Sequence, residues 1–247
     1  FRRGKGYALD HGVKLLDARP SDVLIVIDAD CSIEKGCIDA LAMQCMRTGD
    51  PEQALYLIQC PEHATLGLRI SAFASRLKNK VRPMGSAVLG WPCPILGSGF
   101  AVPWTMLSKL KLASGSIVED MHLGVDIVLG GATTRFCSLA RVNSALPDSD
   151  KAHIAQRRRW EHGHVAAIMT ESPRLLKASL SGRRLEPLGF ALDLCVPPLA
   201  LLVTVVCMAS AVSCICLGGG VLIWQSLIFL LAFAFLVSAV LLAWWHW

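Results

Sequence analysis

Val23-Leu24-Ile25-Val26-Ile27 is an unbroken run of apolar residues, opened by Pro20-Ser21-Asp22 and closed by Asp28. A short, continuous, branched run of this kind predicts a strand buried on both faces of a parallel sheet. Ala54-Leu55-Tyr56-Leu57-Ile58 predicts a second strand ending at Gln59. Between the two, the period changes. Ile33, Cys37, Ile38, Leu41, Cys45 and Met46 fall on one helical face, with Ser32 as the cap and Gly49-Asp50-Pro51 as the stop. Upstream, Ala8, Leu9, Val13 and Leu16 mark a short helix after Gly4-Lys5-Gly6. Over residues 66–81, Leu66, Leu68, Ile70, Phe73 and Leu77 are interleaved with Arg69, Arg76, Lys78 and Lys80. That pattern fits either an amphipathic helix at a membrane surface or a helix packed on the sheet. Ile117-Val118 closes a hydrophobic step, and Glu119-Asp120 opens a helix running to Leu129 before Gly130-Gly131.

Both periods disappear near Leu188. From there to Trp247 the only charged residue besides histidine is Asp193. Residues 194–217 are long enough to span a ~30 Å hydrocarbon core, with Pro197-Pro198 near the start, where proline is tolerated. Gly218-Gly219-Gly220 predicts a turn and residues 221–245 a second span, with Trp244, Trp245 and Trp247 placed as an interfacial belt; a buried soluble helical hairpin is the alternative. Arg183 and Arg184 precede the first span, so the positive-inside rule puts the preceding domain in the cytoplasm and returns the hairpin there. The expected organisation is a catalytic domain over 1–150, a basic and interfacial segment over 151–187, and two transmembrane helices over 188–247. Phe1 in place of an initiator Met, and the apolar end, read as a piece of a longer chain.

Composition refines this picture only modestly. Of 247 residues 53% are hydrophobic, and the excess sits in the last quarter, leaving an ordinary globular composition before it. The net charge of +5 has no long basic stripe with interleaved aromatics, which argues against nucleic acid as a partner. Ten cysteines are scattered without a Cys-x-x-Cys pair, so neither a zinc site nor a disulfide framework is expected. Cys207, Cys214 and Cys216 serve as small hydrophobes in the apolar tail, consistent with a reduced, cytoplasmic-facing domain.

Candidate chemistry begins where the first strand ends. Asp28 and Asp30 flank Ala29, and in extended geometry both carboxylates face the same way. Ligands of open α/β sheets bind at such strand ends, and paired carboxylates suit Mg²⁺ or Mn²⁺ bridging a diphosphate; a capping or solvated turn is the alternative. Lys5 between two glycines is either a phosphate contact or a solvated turn residue. Gly97-Ser98-Gly99 either brings backbone N–H groups to a ligand or is a plain turn into a strand. Glu119 and Asp120 either favour the helix dipole or supply a general base facing a cleft. His122 reads as an ordinary helix-surface histidine. Gln156-Arg157-Arg158-Arg159-Trp160 is a solvated basic face or a helical patch able to line a sugar and phosphate site, since guanidinium binds two phosphate oxygens at once.

Taken in order, Lys5-Gly6, Asp28-Ala29-Asp30, Gly97-Ser98-Gly99, Glu119-Asp120 and Gln156-x-x-Arg159-Trp160 ahead of apolar spans resemble the membrane-integrated family 2 glycosyltransferases with a GT-A domain. That group includes cellulose, hyaluronan, chitin and poly-N-acetylglucosamine synthases and ceramide glucosyltransferases. The resemblance implies an α/β fold: a partial GT-A domain with a Rossmann-like mixed sheet, whose first βαβ unit lies upstream of Phe1, followed by a transmembrane hairpin. It implies inverting transfer from a UDP-sugar to an acceptor hydroxyl at the cytoplasmic membrane, in polysaccharide or cell-surface glycan synthesis. Asp120 and Glu119 would be catalytic. Lys5, Asp28, Asp30 and Arg159 would hold the donor diphosphate, with Mg²⁺ or Mn²⁺ on Asp28 and Asp30. Gly97, Ser98, Gly99, Gln156 and Trp160 would shape the acceptor side. Implied partners are a glycan or lipid acceptor, membrane lipids, and export or polymerisation subunits. Val118 stands where processive synthases often carry Thr, and no gating loop precedes Trp247, which leaves single-sugar transfer to a lipid as the alternative. An inactive membrane scaffold would be expected to lose an acidic pair, and both are present.

Overall fold

The computed structural model describes residues 4–60, 63–107, 110, 112–113, 115–116, 118–145, 150–218 and 223–245. The chain forms two units, Phe1–Cys195 and Val196–Trp247.

In the first unit, five strands form one mixed sheet: β1 (Val23–Val26), β2 (Cys31–Ile33), β3 (Glu52–Gln59), β4 (Phe100–Pro103) and β5 (Arg135–Ala145), in the order β1-β4-β3-β5-β2. Among the described residues, β3 and β5 run parallel and the other pairings are antiparallel. This mixed sheet with helices on it is the expected GT-A-like α/β architecture. The sequence expectation for β1 itself is corrected. It pairs antiparallel with β4 alone and lies at the sheet edge, so Val23, Leu24 and Ile25 are half-buried and only Val26 is buried.

Helix α1 (Lys5–Leu16) precedes β1, and α2 (Cys37–Thr48) follows β2. Ser32 does not cap α2. It is held in β2 opposite Asn143, and the helix begins only after Gly36. The buried stripe of α2 is Cys37, Leu41 and Cys45, one residue per turn, packed with Ala54, Ala101, Ala140 and Val142 of the sheet; Ile38 and Met46 face outward. Gly49 ends α2 as expected, its N–H bonding to Cys45 O at 2.9 Å.

Residues 66–81 resolve toward packing on the sheet. Helix α3 (Leu66–Arg76) passes into a π-helical turn (Leu77–Val81) and then α4 (Arg82–Val88), burying Ser71, Ala72, Phe73 and Asn79. After β4 come the short α5 (Trp104–Leu107) and α6 (Glu119–Leu129), whose Leu123 and Ile127 meet Val26, Ile95, Phe100 and Val102. Helices α7 (Asp150–Gly182) and α8 (Leu185–Leu194) complete this unit against α6 through Val125, Val128, Ala167, Leu175, Phe190, Ala191 and Leu194. This unit runs to Cys195, and α8 buries Phe190, Ala191 and Leu194 within it.

The second unit holds α9 (Leu199–Gly218) and α10 (Ile223–Trp245), joined by Ser210 Oγ donating to Phe229 O at 3.3 Å. Among the described residues, Ser226–Trp245 is the one helix that by itself is long and apolar enough to cross a membrane. The predicted turn at Gly219-Gly220, Val221, Trp247 and Ile117 lie outside the described residues.

Candidate active site

Between α4 and β4 the chain must turn sharply to enter the sheet, and Gly97 (φ +85°) and Gly99 (φ +70°) supply the left-handed conformations. Gly99 is also sterically required. A Cβ there would stand 2.6 Å from Val142 Cγ2 and 3.2 Å from Ala54 Cβ. A fully buried glutamine on β3 pins the turn. Gln53 Nε2 donates to Ser98 O (3.0 Å) and Gly99 O (3.2 Å), and its Oε1 accepts Leu96 N–H at 2.9 Å. Ser98 is fully buried, and its hydroxyl accepts the Asp28 N–H at 2.9 Å. The glycine turn thus fixes the end of β1, where the first aspartate sits. Sequence reasoning missed Gln53. Its signal was a polar Glu52-Gln53 pair heading an apolar strand.

Lys5, the first residue of α1, is not a solvated turn residue. Its Nζ pairs with the Asp28 carboxylate and donates to Gly97 O at 2.6 Å. Asp28 is about one-third exposed. Asp30 is exposed on the turn after β1, 3.7 Å from Cys31 Sγ. Ligand atoms of Asp28, Asp30 and Cys31 all lie within 4.8 Å of one another. Two carboxylates with an open face fit a hard divalent cation; the thiol does not belong to such a donor set.

Across the cleft, Glu119 and Asp120 open α6. A Cβ on Gly97 would stand 3.3 Å from Asp120 Oδ2 and 3.9 Å from Lys5 Nζ, which places these three residues against one another. Burial raises the Asp120 pKa. The Lys78 ammonium opposes that rise most, followed by the Met121 N–H (2.9 Å from Oδ1) and Lys5. Burial also raises Glu119, its own backbone N–H opposes, and the Asp120 charge adds to the rise. A carboxylate whose pKa burial has raised is a stronger proton acceptor than a solvated one, as suits a general base. Lys5, Gly97, Glu119 and Asp120 line a small cleft, with Leu9, Phe100 and Leu123 among its apolar lining.

The remaining predicted residues lie elsewhere. Gln156 is half-buried on α7, Arg159 and Trp160 are exposed, and none of them lines this cleft. The neighbour that does engage the protein is Arg157, with Ser71 Oγ at 3.3 Å and Glu161 at 3.6 Å. His122 is half-buried rather than free on the surface. Its Nδ1 lies 3.1 Å from the buried Glu171, which also pairs with Arg174, so it braces α6 against α7.

A family model described as glycosyl transferase family group 2 matches residues 23–247. The chain belongs to that family. It is a glycosyltransferase, acting between a sugar donor and an acceptor. Lys5 lies ahead of the matched residues, so its place in the site of this glycosyltransferase rests on geometry alone. Among curated proteins none matches the chain.

Proposed function

We propose that the chain transfers a sugar from a UDP-sugar, with inversion, to an acceptor hydroxyl at the cytoplasmic face of a membrane that its apolar helices span. The observation that supports this reading is the meeting of Lys5, Gly97 and Asp120 at one cleft, with Lys5 also paired to Asp28 beyond the end of β1. Asp28 and Asp30 would hold Mg²⁺ or Mn²⁺. When bound, that ion supplies Lewis-acid neutralisation of the leaving diphosphate. Lys5 adds a positive charge on the same side and pairs with Asp28.

Asp120 takes the proton of the acceptor hydroxyl as its oxygen attacks the anomeric carbon. The bond to the diphosphate breaks with its electrons leaving on UDP. One base and one direct displacement turn an α-linked donor into a β-linked product. Gly97 is required without a side chain, because a Cβ would crowd Asp120 Oδ2. Arg159, Trp160 and Gln156 stay in the reading as an acceptor and diphosphate surface on α7 that a bound substrate would have to engage.

The full chain in membrane vesicles, given radiolabelled UDP-sugars with Mg²⁺ or Mn²⁺, tests the proposal. Transfer with one donor, and a β-linked product, are expected. Failure with every UDP-sugar, or an α-linked product, would overturn it.

A further inference from the structure

Gln53 is a polar side chain withdrawn completely from water, second in a strand whose next residues are apolar and packed. Burying an amide is costly unless its groups are bonded, and an apolar residue of similar size would avoid that cost. What the amide has instead is a set of partners spread along one turn. Its Oε1 accepts the Leu96 N–H at 2.9 Å, and its Nε2 donates to Ser98 O at 3.0 Å and to Gly99 O at 3.2 Å. The same Nε2 lies 3.0 Å from Ala54 O, within β3 itself. The turn is thereby fastened to the strand on both sides of Gly97.

The turn's other polar groups go to the site. Gly97 O accepts from Lys5 Nζ at 2.6 Å, the Ser98 hydroxyl accepts the Asp28 N–H at 2.9 Å, and the Gly99 N–H donates to Val26 O at 2.9 Å. Gly97 also abuts Asp120, since a Cβ there would stand 3.3 Å from Oδ2. Three consecutive residues thus connect one buried amide to Lys5, to Asp28 and to Asp120. Gln53 itself does not line the cleft.

We propose that Gln53 is a positioning residue for sugar transfer: by fixing the turn over residues 96–99, it sets where Lys5 and Asp28 stand relative to Asp120. A fully satisfied buried polar group rigidifies what it joins, and a misplacement of ~1 Å at a reacting centre costs on the order of a hundredfold in rate. The inference depends on the UDP-sugar reading for its turnover readout alone. Its other readout is the Lys5 ammonium, which loses a carbonyl partner when the turn shifts.

The test uses the full chain in detergent. Gln53→Met keeps length and removes every side-chain bond. Gln53→Asn, one methylene shorter, keeps an amide that cannot reach both Leu96 and Ser98, and carries the test if the methionine variant does not fold. Leu41→Ala, a cavity in the core between α2 and the sheet, controls for lost stability. The first measurement is the rate at which limiting acetic anhydride acetylates Lys5, read by mass spectrometry against the exposed Lys14 and Lys35 of the same molecules. Lys5 should react about tenfold faster in the Gln53 variants, as loss of one charge-assisted hydrogen bond implies, and at the parent rate in Leu41→Ala. The second is turnover per folded molecule at saturating donor, expected to fall about tenfold or more in the Gln53 variants and to hold in Leu41→Ala. Lys5 labelling at the parent rate in the Gln53 variants, equal acceleration in Leu41→Ala, or parent turnover in either Gln53 variant would overturn the proposal. So would failure of both Gln53 variants to fold, which would make the residue scaffold. A parent chain that transfers from no UDP-sugar counts against that donor reading, and the Lys5 rate alone then decides whether Gln53 places the site.

Discussion

Two glycines two positions apart should respond to the same substitution in different ways. Gly99→Ala introduces a Cβ 2.6 Å from Val142 Cγ2, well inside the ~3.5–4.0 Å of ordinary carbon contact, and does so at φ +70°. The left-handed backbone costs an L-residue about 1–2 kcal/mol, and overpacking against Val142 and Ala54 about 1–3 more. The sum is about 2–5 kcal/mol, on the order of 10 °C in melting temperature for a unit of this size. Gly97→Ala carries the backbone strain at φ +85° but meets only side-chain atoms at 3.3 Å and beyond, so about 1–2 kcal/mol is expected. Its neighbour is Asp120 Oδ2, and its loss should therefore be in transfer. Thermal melts of the detergent-solubilised chain, read beside transfer rates, separate the two. Val142→Ala should restore part of the stability lost in Gly99→Ala, because it removes the clashing methyl and leaves the backbone strain. Equal melting temperatures for Gly99→Ala and the parent chain, no coupling with Val142→Ala, or full transfer by Gly97→Ala would refute the assignment of one glycine to the scaffold and the other to the cleft.

Asp120→Asn keeps the shape of the α6 start and removes the base, so transfer should disappear while UDP binding, measured by calorimetry, stays within a few-fold; lost nucleotide binding would move Asp120 to the donor side. Asp28→Ala should abolish transfer at every Mg²⁺ or Mn²⁺ concentration, and a variant still active with the metal chelated would remove the cation from the mechanism. His164 is buried and neutral, with its pKa lowered from 6.5 to about 4, so protonation favours the unfolded chain. Its contribution is complete above pH 6.5 and is lost as pH falls toward 4, worth up to roughly 3 kcal/mol. Melts of the parent chain and His164→Gln should converge over that window, and parallel curves would show that the imidazole titrates normally.

What the sequence made legible was local. The residues that end a strand, open a helix or stop one announce themselves within a few positions: Asp28 after Val23–Val26, Glu119-Asp120 at the start of α6, Gly49 after α2. Apolar runs also located β1 and β3. Partner choice was not legible, because it depends on segments far apart in the chain. A run such as residues 23–27 looks the same in the middle of a parallel sheet as on its edge, and only the antiparallel return of β4 decides. Ser32 has the chemistry of a cap, but pairing with Asn143 holds it extended. The reading of Lys5 stayed open because its partner carbonyl belongs to Gly97. Gln53 was passed over because nothing near it in sequence shows that Leu96, Ser98 and Gly99 will arrive at its amide.

The same long-range wiring sets the surroundings of Asp120. Lys5 reaches it from α1 and Lys78 from the π-helical turn, segments more than forty residues away in the chain, and both oppose the rise in its pKa that burial causes. Nothing within a few positions of Glu119-Asp120 announces either lysine, so the electrostatics of the candidate base belong to the fold and not to the local motif.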